Sequence, residues 1–437
     1  MSKVNYRWFA LLGLVALLAI TMLACAPSVT PTATPTKAAE PAKTAEPAKP
    51  AEPTKPPAAS PTAPPKALDP IKLGFQNSFS GYMAPMGTPE RDSVLMLEEK
   101  VNKEGGINGR PLKVIVYDDE SDETKGVLAI KKAINEDKVL GIIGTSASGI
   151  AMAQVPVAED AQVPWITMQS AKSTILPNRK WIFKLPLSEA GYLEAFYRWA
   201  KGENYTKVAL INQGAGFGRE ARKYIEETAP KQGITIVVKE EYGPTDTDIK
   251  PQLTKVKASD AQVLIVYGAE AAGAIAVRQA KEMGLTIPII GPESLTLPAI
   301  MGNKELRDGL EGFYIMGHKP DVWDQLPDAD PQKTLIKALS DQLKAKYGAN
   351  RVLSMWESVA NDAFNVMVNA IKKANPDPAK VDEARSKVRD AIEQTKDFAG
   401  TTSVISYSPA EHEIWEIKAK VISQIKDGKF KLVKTFQ

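Results

Sequence analysis

Along the chain, the pattern of hydrophobic and polar positions changes abruptly near residue 70. From Ile71 onward, short apolar runs alternate with longer stretches in which apolar residues recur at helical spacing. The run at 71–76 is a predicted strand, and Val94, Leu97 and Val101 mark one face of a helix predicted over 85–101. The same pattern predicts strands at 112–117, 139–143 and 163–168 and helices at 127–134 and 150–161. This βαβαβαβ order is typical of a parallel sheet covered by helices on both faces.

A second unit with the same alternation follows. It begins with a helix at 192–199 and continues with strands at 208–211, 234–238, 263–267 and 287–290 and helices at 217–228, 249–257 and 271–283. Beyond Phe313 the chain is helix-rich, with helices predicted at 334–347, 356–373 and 381–395, and a final β-hairpin at 414–433 turns at Asp427 and Gly428. This tail is too small for an independent α/β domain, so we expect it to complete the two units. The predicted fold class is α/β, with two Rossmann-like lobes and a crevice lined by the carboxyl ends of their strands.

The first 24 residues have the pattern of an export signal. Lys3 and Arg7 precede an uncharged stretch at 8–23, which ends at Ala24 and Cys25. The sequence Met-Leu-Ala-Cys at 22–25 resembles a bacterial lipobox, in which cleavage before the cysteine leaves its thiol to receive a lipid. We therefore predict a lipoprotein signal peptide at 1–24, lipidation at Cys25 and a cell-membrane lipoprotein in the periplasm or on the cell surface. The alternative is an uncleaved membrane anchor, since the run approaches the roughly 20 apolar residues of a spanning helix; both place the remainder outside the cytoplasm.

Residues 25–69 have the composition of a linker. They are rich in proline, alanine, threonine and lysine, include repeated Ala-Glu-Pro-Ala-Lys units, and contain almost no large apolar residue. Such a segment has too little apolar surface to form a core, so we predict a disordered tether. Extended proline-rich chain rises about 3.1 Å per residue, so roughly 45 residues reach on the order of 100 Å. A mucin-like O-glycosylated stalk is the alternative.

Charge and residue usage exclude several functions. The chain has 55 basic and 52 acidic residues, a net charge of +3, which is too even for a nucleic-acid surface. Cys25 is its one cysteine, and His318 and His412 are its two histidines. The folded part therefore offers no disulfide, zinc cluster or thiol catalyst and little material for acid/base chemistry. We predict that the protein is not an enzyme and has no cofactor, metal site or nucleic-acid partner.

Hydroxyl and amide side chains follow the predicted strands of the first unit. Ser148 lies beyond the third strand, and Gln169, Ser170, Ala171 and Ser173 lie beyond the fourth. Serine hydroxyls and the free N–H groups of a helix N-terminus are suitable donors for a carboxylate. We therefore expect an anionic group of a ligand here. The alternative is that Ser148 and Ser173 only cap their helices.

Acidic side chains follow two strands of the second unit. Glu270 comes shortly after the third of these strands, and Glu293 after the fourth. A carboxylate opposite a hydroxyl and amide cluster suits a zwitterion, because a buried ammonium needs a paired charge. Glu293 is the first candidate for this role and Glu270 the second. The alternative is that both are solvated loop acids.

One motif suggests a catalytic alternative. Gly-Thr-Ser-Ala-Ser at 144–148 nearly matches the GxSxG nucleophile elbow, although the final glycine is missing. A hydrolase with Ser146 as nucleophile and His318 or His412 as base is therefore the enzymatic alternative.

Several stretches carry a resemblance to a known family. The most specific is VNKEGGINGRPL at 101–112, which runs into VYDDES at 116–121; PVAED at 156–160, RQAKEMGL at 278–285 and GPE at 291–293 support it. From Ile71 onward the chain resembles the branched-chain amino acid binding proteins of ATP-driven importers, the type I periplasmic-binding family typified by the Leu/Ile/Val-binding protein. The resemblance implies a hinge of three crossovers, with lobe 1 at 70–188 plus 317–402 and lobe 2 at 189–316 plus 403–437.

The resemblance also assigns roles to individual residues. Ser148 matches the serine that holds the ligand carboxylate, and residues 169–171 match the segment that completes this grip. Glu293 matches the acid that receives the ammonium.

Three positions depart from the family pattern and are included among the expected ligand-binding residues. Met86 replaces an aromatic residue near the pocket, Phe217 replaces a tyrosine on lobe 2, and Glu270 stands where another aromatic residue is common.

The function implied by the resemblance is solute capture. The ligand would be a branched-chain or related amino acid, closed between two lobes and delivered to the permease subunits of an ABC importer, with a lipid anchor at the membrane. A binding protein for an amide, urea or aromatic acid is one alternative. A ligand-sensing ectodomain of a signalling system is another.

Overall fold

The computed structural model describes residues 68–185, 187–414 and 416–436. The predicted signal peptide, Cys25 and the predicted linker up to residue 67 lie outside the described residues. Within the described part of the chain, no helix has both the length and the apolar character that crossing a bilayer requires.

The first half of the fold is a five-stranded parallel sheet with strand order β2-β1-β3-β4-β5. Its strands are β1 Ile71–Asn77, β2 Leu112–Asp118, β3 Ile142–Gly144, β4 Trp165–Thr167 and β5 Ile182–Lys184. The helices between them are α1 Ala84–Lys103, α2 Glu123–Asn135 and α3 Ser148–Asp160, and a 3₁₀ helix spans Lys172–Ile175. Strands β3 to β5 are buried throughout, as expected for a parallel sheet covered on both faces.

The second half is built on a seven-stranded sheet with strand order β14-β13-β10-β9-β8-β6-β7. Its strands are β6 Lys207–Gln213, β7 Thr235–Tyr242, β8 Val263–Tyr267, β9 Ile289–Pro292, β10 Tyr314–His318, β13 Lys420–Lys426 and β14 Lys429–Thr435. Its helices are α4 Glu189–Gly202, α5 Gly216–Thr228, α6 Lys250–Lys257, α7 Glu270–Glu282, α8 Pro298–Gly302 and α9 Lys304–Gly309. Short 3₁₀ helices span Ala229–Gln232, Glu293–Thr296, Lys319–Gln325 and Ile417–Ala419. Strand β13 runs antiparallel to β10 and β14, and the other pairs are parallel.

The helix-rich tail packs back on the first sheet before the chain enters the second sheet for the last time. It contains α10 Pro331–Tyr347, α11 Met355–Ala374 and α12 Val381–Glu393, followed by the short strands β11 Phe398–Ala399 and β12 Val404–Ile405. Helix α11 starts with a capping box formed by Ser354 and Glu357, and it contacts α1 and β3. The Oγ of Ser93 in α1 donates to the carbonyl of Glu357 at 3.0 Å. The tail therefore completes the first half, as the sequence pattern predicts.

The chain passes between the two sheets three times, after β5, after β10 and before β13. The predicted fold class, α/β with two Rossmann-like lobes joined by three connections, is confirmed. The residue bounds of the two lobes stay a prediction.

The sequence prediction misses the two-residue strands β11 and β12 and, in the main sheets, β5 and β10. Strands β5 and β10 are short runs that each carry a basic side chain, Lys184 or His318, and such a run does not look like a buried strand. Both side chains are buried against acids distant in sequence, with Lys184 Nζ 2.6 Å from Glu413 Oε1 and His318 Nδ1 2.8 Å from Glu293 Oε1. The final hairpin also begins later than predicted, because residues Ile417–Ala419 form a 3₁₀ helix before β13.

Candidate functional site

A cavity of about 110 Å³ lies between the carboxyl ends of strands from both sheets. The loops after β3 and β4 supply Ser146, Ser148, Gln169 and Ser170. From the second half, the lining includes Gln213, Ala215, Gly216, Phe217, Ala269 and Ser294. This volume is of the same order as the roughly 150 Å³ of an apolar cavity that holds benzene, so it suits a small solute.

The two walls of this cavity meet at a pair of glycines. A Cβ atom added to Gly216, at the start of α5, would lie 2.8 Å from the Cα and N atoms of Gly149 in α3. This distance is shorter than any van der Waals contact between such atoms, so a side chain at Gly216 would push the walls apart. The close approach brings the N-terminal ends of α3 and α5 to the same cavity.

Ser148 is the first residue of α3, and its hydroxyl is better suited to bind a ligand than to cap the helix. The N-cap of α3 is Ala147, and no side chain caps this helix end. Ser148 is 3% exposed, and its Oγ has no hydrogen-bond partner in the described part of the chain. The first N–H groups of a helix also lack intrahelical acceptors. The N-terminal end of α3 thus places several hydrogen-bond donors beside the cavity.

The loop after β4 presents an amide and a hydroxyl. Gln169 Nε2 donates to Thr174 Oγ1 at 2.7 Å, whereas Gln169 Oε1 has no partner among the described residues. Ser170 Oγ donates to Glu189 Oε1 at 3.0 Å. Burial raises the pKa of the Glu189 carboxyl, and the nearby Lys184 opposes this shift. The loop therefore places Ser170 in the cavity wall, with a buried acid as its hydrogen-bond partner.

Two other residues of this loop lie away from the cavity. Ala171 is buried, and its carbonyl accepts a hydrogen bond from Thr174 Oγ1 at 2.8 Å. Ser173 Oγ contacts Met152 Sδ at 3.0 Å, and Ser173 is not among the described residues that line the cavity.

On the opposite wall, Phe217 and Gln213 line the cavity directly. The ring of Phe217 packs against that of Tyr267 with their centroids 4.9 Å apart. Gln213 Nε2 donates to Glu270 Oε1. Glu270 is the first residue of α7 and lies behind Gln213; burial raises the pKa of its carboxyl well above the ordinary value.

Glu293 lies one side chain behind the cavity wall. Its Oε1 accepts hydrogen bonds from the hydroxyl of Tyr192, which lines the cavity, and from His318 Nδ1 at 2.8 Å. His318 Nε2 in turn lies 2.5 Å from Lys420 Nζ, and this ammonium sits 4.2 Å from the centre of the Tyr192 ring. Burial lowers the pKa of Lys420 to about 7. Glu293 thus belongs to a chain of buried polar side chains that joins α4, β10 and β13.

The structure brings most of the predicted ligand-binding residues together. Five line the cavity: Met86, Ser148, Gln169, Ser170 and Phe217. Ala171, Glu270 and Glu293 lie outside the lining formed by the described residues, and the last two carboxyls approach it through Gln213 and Tyr192.

Other lining residues do not appear in the sequence prediction. Tyr82 and Glu123 follow β1 and β2, so the strand-end rule applied to every strand would include them. Leu187 and Tyr192 belong to the connection after β5, a strand that the sequence pattern does not predict. Trp356 comes from α11, and no local pattern shows that this tail helix reaches the cavity.

The arrangement around Ser146 does not resemble a catalytic triad. Its Oγ donates to Glu90 Oε1, a buried carboxyl that also accepts from Asn77 Nδ2. His412 binds the carbonyl of Ile182 at 3.0 Å and lies 3.2 Å from Glu393 Oε1. With His318 engaged by Glu293 and Lys420, both histidines have partners away from Ser146. Among the described residues, no group of three or more histidine, cysteine or acidic side chains is arranged to hold a metal ion.

Comparisons with known proteins agree with this geometry. The family model described as periplasmic binding protein matches residues 70–427. A leucine-, isoleucine-, valine-, threonine- and alanine-binding protein of Pseudomonas aeruginosa is 29% identical over 327 residues, which cover 73% of this chain and 82% of that protein.

Solved structures show the same fold. An extracellular ligand-binding receptor of Rhodopseudomonas palustris is 24% identical, with a TM-score of 0.76 over 83% of this chain and 99% of that one. The branched-chain amino acid transporter substrate-binding protein of Streptococcus pneumoniae, in complex with isoleucine, is 23% identical, with a TM-score of 0.69 over 84% of this chain and 99% of that one.

Proposed function

Because the chain belongs to the periplasmic binding protein family, we propose that it captures a branched-chain or related amino acid between its two lobes and delivers it to the permease of an ABC importer. The family consists of extracytoplasmic solute-binding proteins and not of enzymes, so the prediction that the chain is no enzyme is confirmed by its membership. The ligand, the permease and the lipid anchor at Cys25 belong to the proposal.

The observation that carries the proposal is the hydroxyl of Ser148 at the start of α3, which has no hydrogen-bond partner among the residues that the structure describes. A buried hydroxyl without a partner costs free energy, and a ligand carboxylate would remove this cost. The N–H groups of the first turn and the positive end of the helix dipole add to the same interaction. In this proposal the carboxylate of an amino acid therefore lies at the end of α3.

The opposite pole of the ligand is placed near Tyr192 and Ser170. The hydroxyls of these side chains donate to Glu293 and Glu189, so their oxygen lone pairs remain available to the cavity. An ammonium group that donates to these oxygens gains the negative charge of a carboxylate one hydrogen bond further away. Glu293 thus supports the ammonium through Tyr192 in this proposal.

The side chain of the ligand is placed among apolar groups. Met83, Met86, Leu187, Phe217 and Trp356 all line the cavity. Such a lining gains free energy by covering a hydrocarbon side chain, at roughly 25 cal/mol per Å² of apolar surface buried. A leucine, isoleucine or valine side chain suits this wall.

Calorimetry with a panel of amino acids, amides and aromatic acids tests the proposal. We expect a branched-chain or related amino acid to bind, and Ser148→Ala to weaken its binding by roughly 10- to 100-fold, the range for a hydrogen bond to a charged group. Ser173→Ala is the matched control, because this serine belongs to the neighbouring loop and contacts Met152 instead of the cavity. Binding of an amide or aromatic acid with no binding of any amino acid would contradict the proposal.

A further inference from the structure

A second cavity adjoins the first one. It has a volume of about 330 Å³, and Tyr82 lines both cavities. Its walls are otherwise formed by Pro85 of α1, the loop at 244–247, the start of α7 and the segment 297–306, which contains α8 and the start of α9. The second cavity therefore continues the cleft between the two halves of the fold.

Glu270 places an unpaired buried carboxylate oxygen at this cavity. Its side chain lines the cavity and is 5% exposed. Gln213, which lines the first cavity, binds Glu270 Oε1, whereas Oε2 has no hydrogen-bond partner within the residues that the structure describes. A buried carboxylate is stable only when it is paired with a cation or is protonated. The free oxygen thus marks a place where a positively charged group would gain free energy.

The carboxyl side chains that line the two cavities are not matched by basic ones. Glu123 lines the first cavity, and Asp246 and Glu270 line the second, whereas no lysine, arginine or histidine lines either cavity in the described ranges. Asp246 Oδ2 accepts a hydrogen bond from the N–H of Gly243 at 2.7 Å, which holds this carboxyl at the rim. A lining of this kind favours a ligand with net positive charge.

The remaining wall of the second cavity is apolar. Ile275, Leu297, Ile300 and Leu306 all contribute to it. A lysine or arginine side chain combines an apolar stem with a charged head, so the stem would cover this surface while the head pairs with a carboxylate.

We propose that the second cavity is a subsite for the positively charged end of an elongated amino acid, with Glu270 as its partner. This inference rests on the proposed function, because the first cavity holds the amino-acid head group. The side chain would pass Tyr82, which lines both cavities, and Gln213, which lines the first cavity and binds Glu270. Tyr82 is 36% exposed, so its ring has room to turn toward solvent.

The titratable groups around Glu270 predict that binding at this subsite depends on pH. Burial raises the pKa of the Glu270 carboxyl, and burial together with Glu270 and Glu123 raises the pKa of Tyr82 to about 12. The other titratable groups nearby are Tyr242, whose pKa burial and Glu270 raise, and Asp246 in the same cavity. Because burial disfavours the charged form of Glu270, a cation that pairs with it favours the deprotonated form, and the affinity for that cation increases as the pH rises through the titration of this carboxyl.

Calorimetry with L-arginine and L-citrulline tests the subsite, because citrulline has nearly the same shape and no charge. For the wild-type protein we expect arginine to bind at least about tenfold more tightly than citrulline. Titrations in buffers with different ionisation enthalpies should show proton release with arginine and none with citrulline. This measurement needs no variant.

Glu270→Gln should abolish the preference for arginine over citrulline. Glu241→Gln, which alters an exposed acid on β7 paired with Arg219 at 3.0 Å, should retain it. Equal affinities of the wild-type protein for arginine and citrulline, or an unchanged preference in the Glu270 variant, would overturn the subsite while leucine binding upholds the proposed function. Failure of every amino acid in the panel, leucine, arginine and citrulline included, would overturn the proposed function itself.

Discussion

The buried polar groups at two places in the molecule differ in how completely they are paired. Where the chain passes between the sheets, Lys184 Nζ lies 2.6 Å from Glu413 Oε1, and both side chains are buried. Around the cavities, Ser148 Oγ and Glu270 Oε2 are buried without a partner in the described chain. Paired groups stabilise the folded state, whereas unpaired ones destabilise it until a ligand binds. The paired residues therefore stabilise the fold, whereas the unpaired residues are available to bind a solute.

The largest expected effect on stability comes from the buried pair of Lys184 and Glu413. Lys184→Met leaves the Glu413 carboxylate buried without its cation, so we expect the free energy of unfolding to fall by about 3–5 kcal/mol. Urea denaturation measures this loss. Lys337→Met is the matched control, because Lys337 and Asp341 form an exposed pair at 2.6 Å, for which about 1 kcal/mol or less is expected. Equal losses in the two variants would show that burial of the pair does not matter.

A pH effect of intermediate size is expected from Glu90, which lies behind Ser146 at the cavity wall. Burial raises the pKa of the Glu90 carboxyl from 4.5 to about 8, although hydrogen bonds from Ser146 and Asn77 oppose the shift. The protonated form is thus favoured by folding, so its contribution to stability is complete below pH 4.5 and is lost as the pH rises to about 8.

Glu90→Gln removes this titration. The melting temperature of the variant relative to wild type should therefore increase between pH 5 and 8, a range set by the same shift. Thermal unfolding followed by circular dichroism at a series of pH values measures the difference. Glu104→Gln, at an exposed acid just after α1, should run parallel to wild type. A constant offset between wild type and the Glu90 variant would contradict the assignment.

The smallest expected effect on stability comes from Ser148 at the cavity. Ser148→Ala removes a buried hydroxyl that has no partner in the described structure, so we expect the free energy of unfolding without ligand to stay within about 0.5 kcal/mol of wild type or to rise. Denaturation without ligand measures this. A loss of about 2 kcal/mol would mean that the hydroxyl is part of the fold and would remove the contrast between the two places.

The sequence predicts the two sheets well because their strands and helices are local patterns. The strand predicted at 263–267 coincides with β8, and the helix predicted at 217–228 begins one residue after α5 and ends with it. The helix predicted at 356–373 is one residue shorter than α11 at each end. Strands β5 and β10 escape prediction, because Lys184 and His318 look like surface residues until their partners Glu413 and Glu293 are known. These partners are distant in sequence, and no local pattern identifies them.

The same limit applies to the cavity. Ser148, Gln169 and Ser170 are predictable, because parallel strands bring the residues that follow them to one edge. Whether a side chain at such an edge lines the cavity or lies behind it depends on its neighbours. Tyr192 stands in front of Glu293, and Gln213 stands in front of Glu270, so the two acids that the pattern selects are covered by residues that it does not select.

Helix α11 has a consequence for the order in which the protein is made. It packs against α1 and β3, and its Met367 side chain lies against Gly141. It also contributes Trp356 to the cavity wall. These residues leave the ribosome only after the whole of the second parallel unit has been synthesised. The first sheet is therefore left with an open apolar face throughout that interval and requires protection from aggregation until the tail has been synthesised.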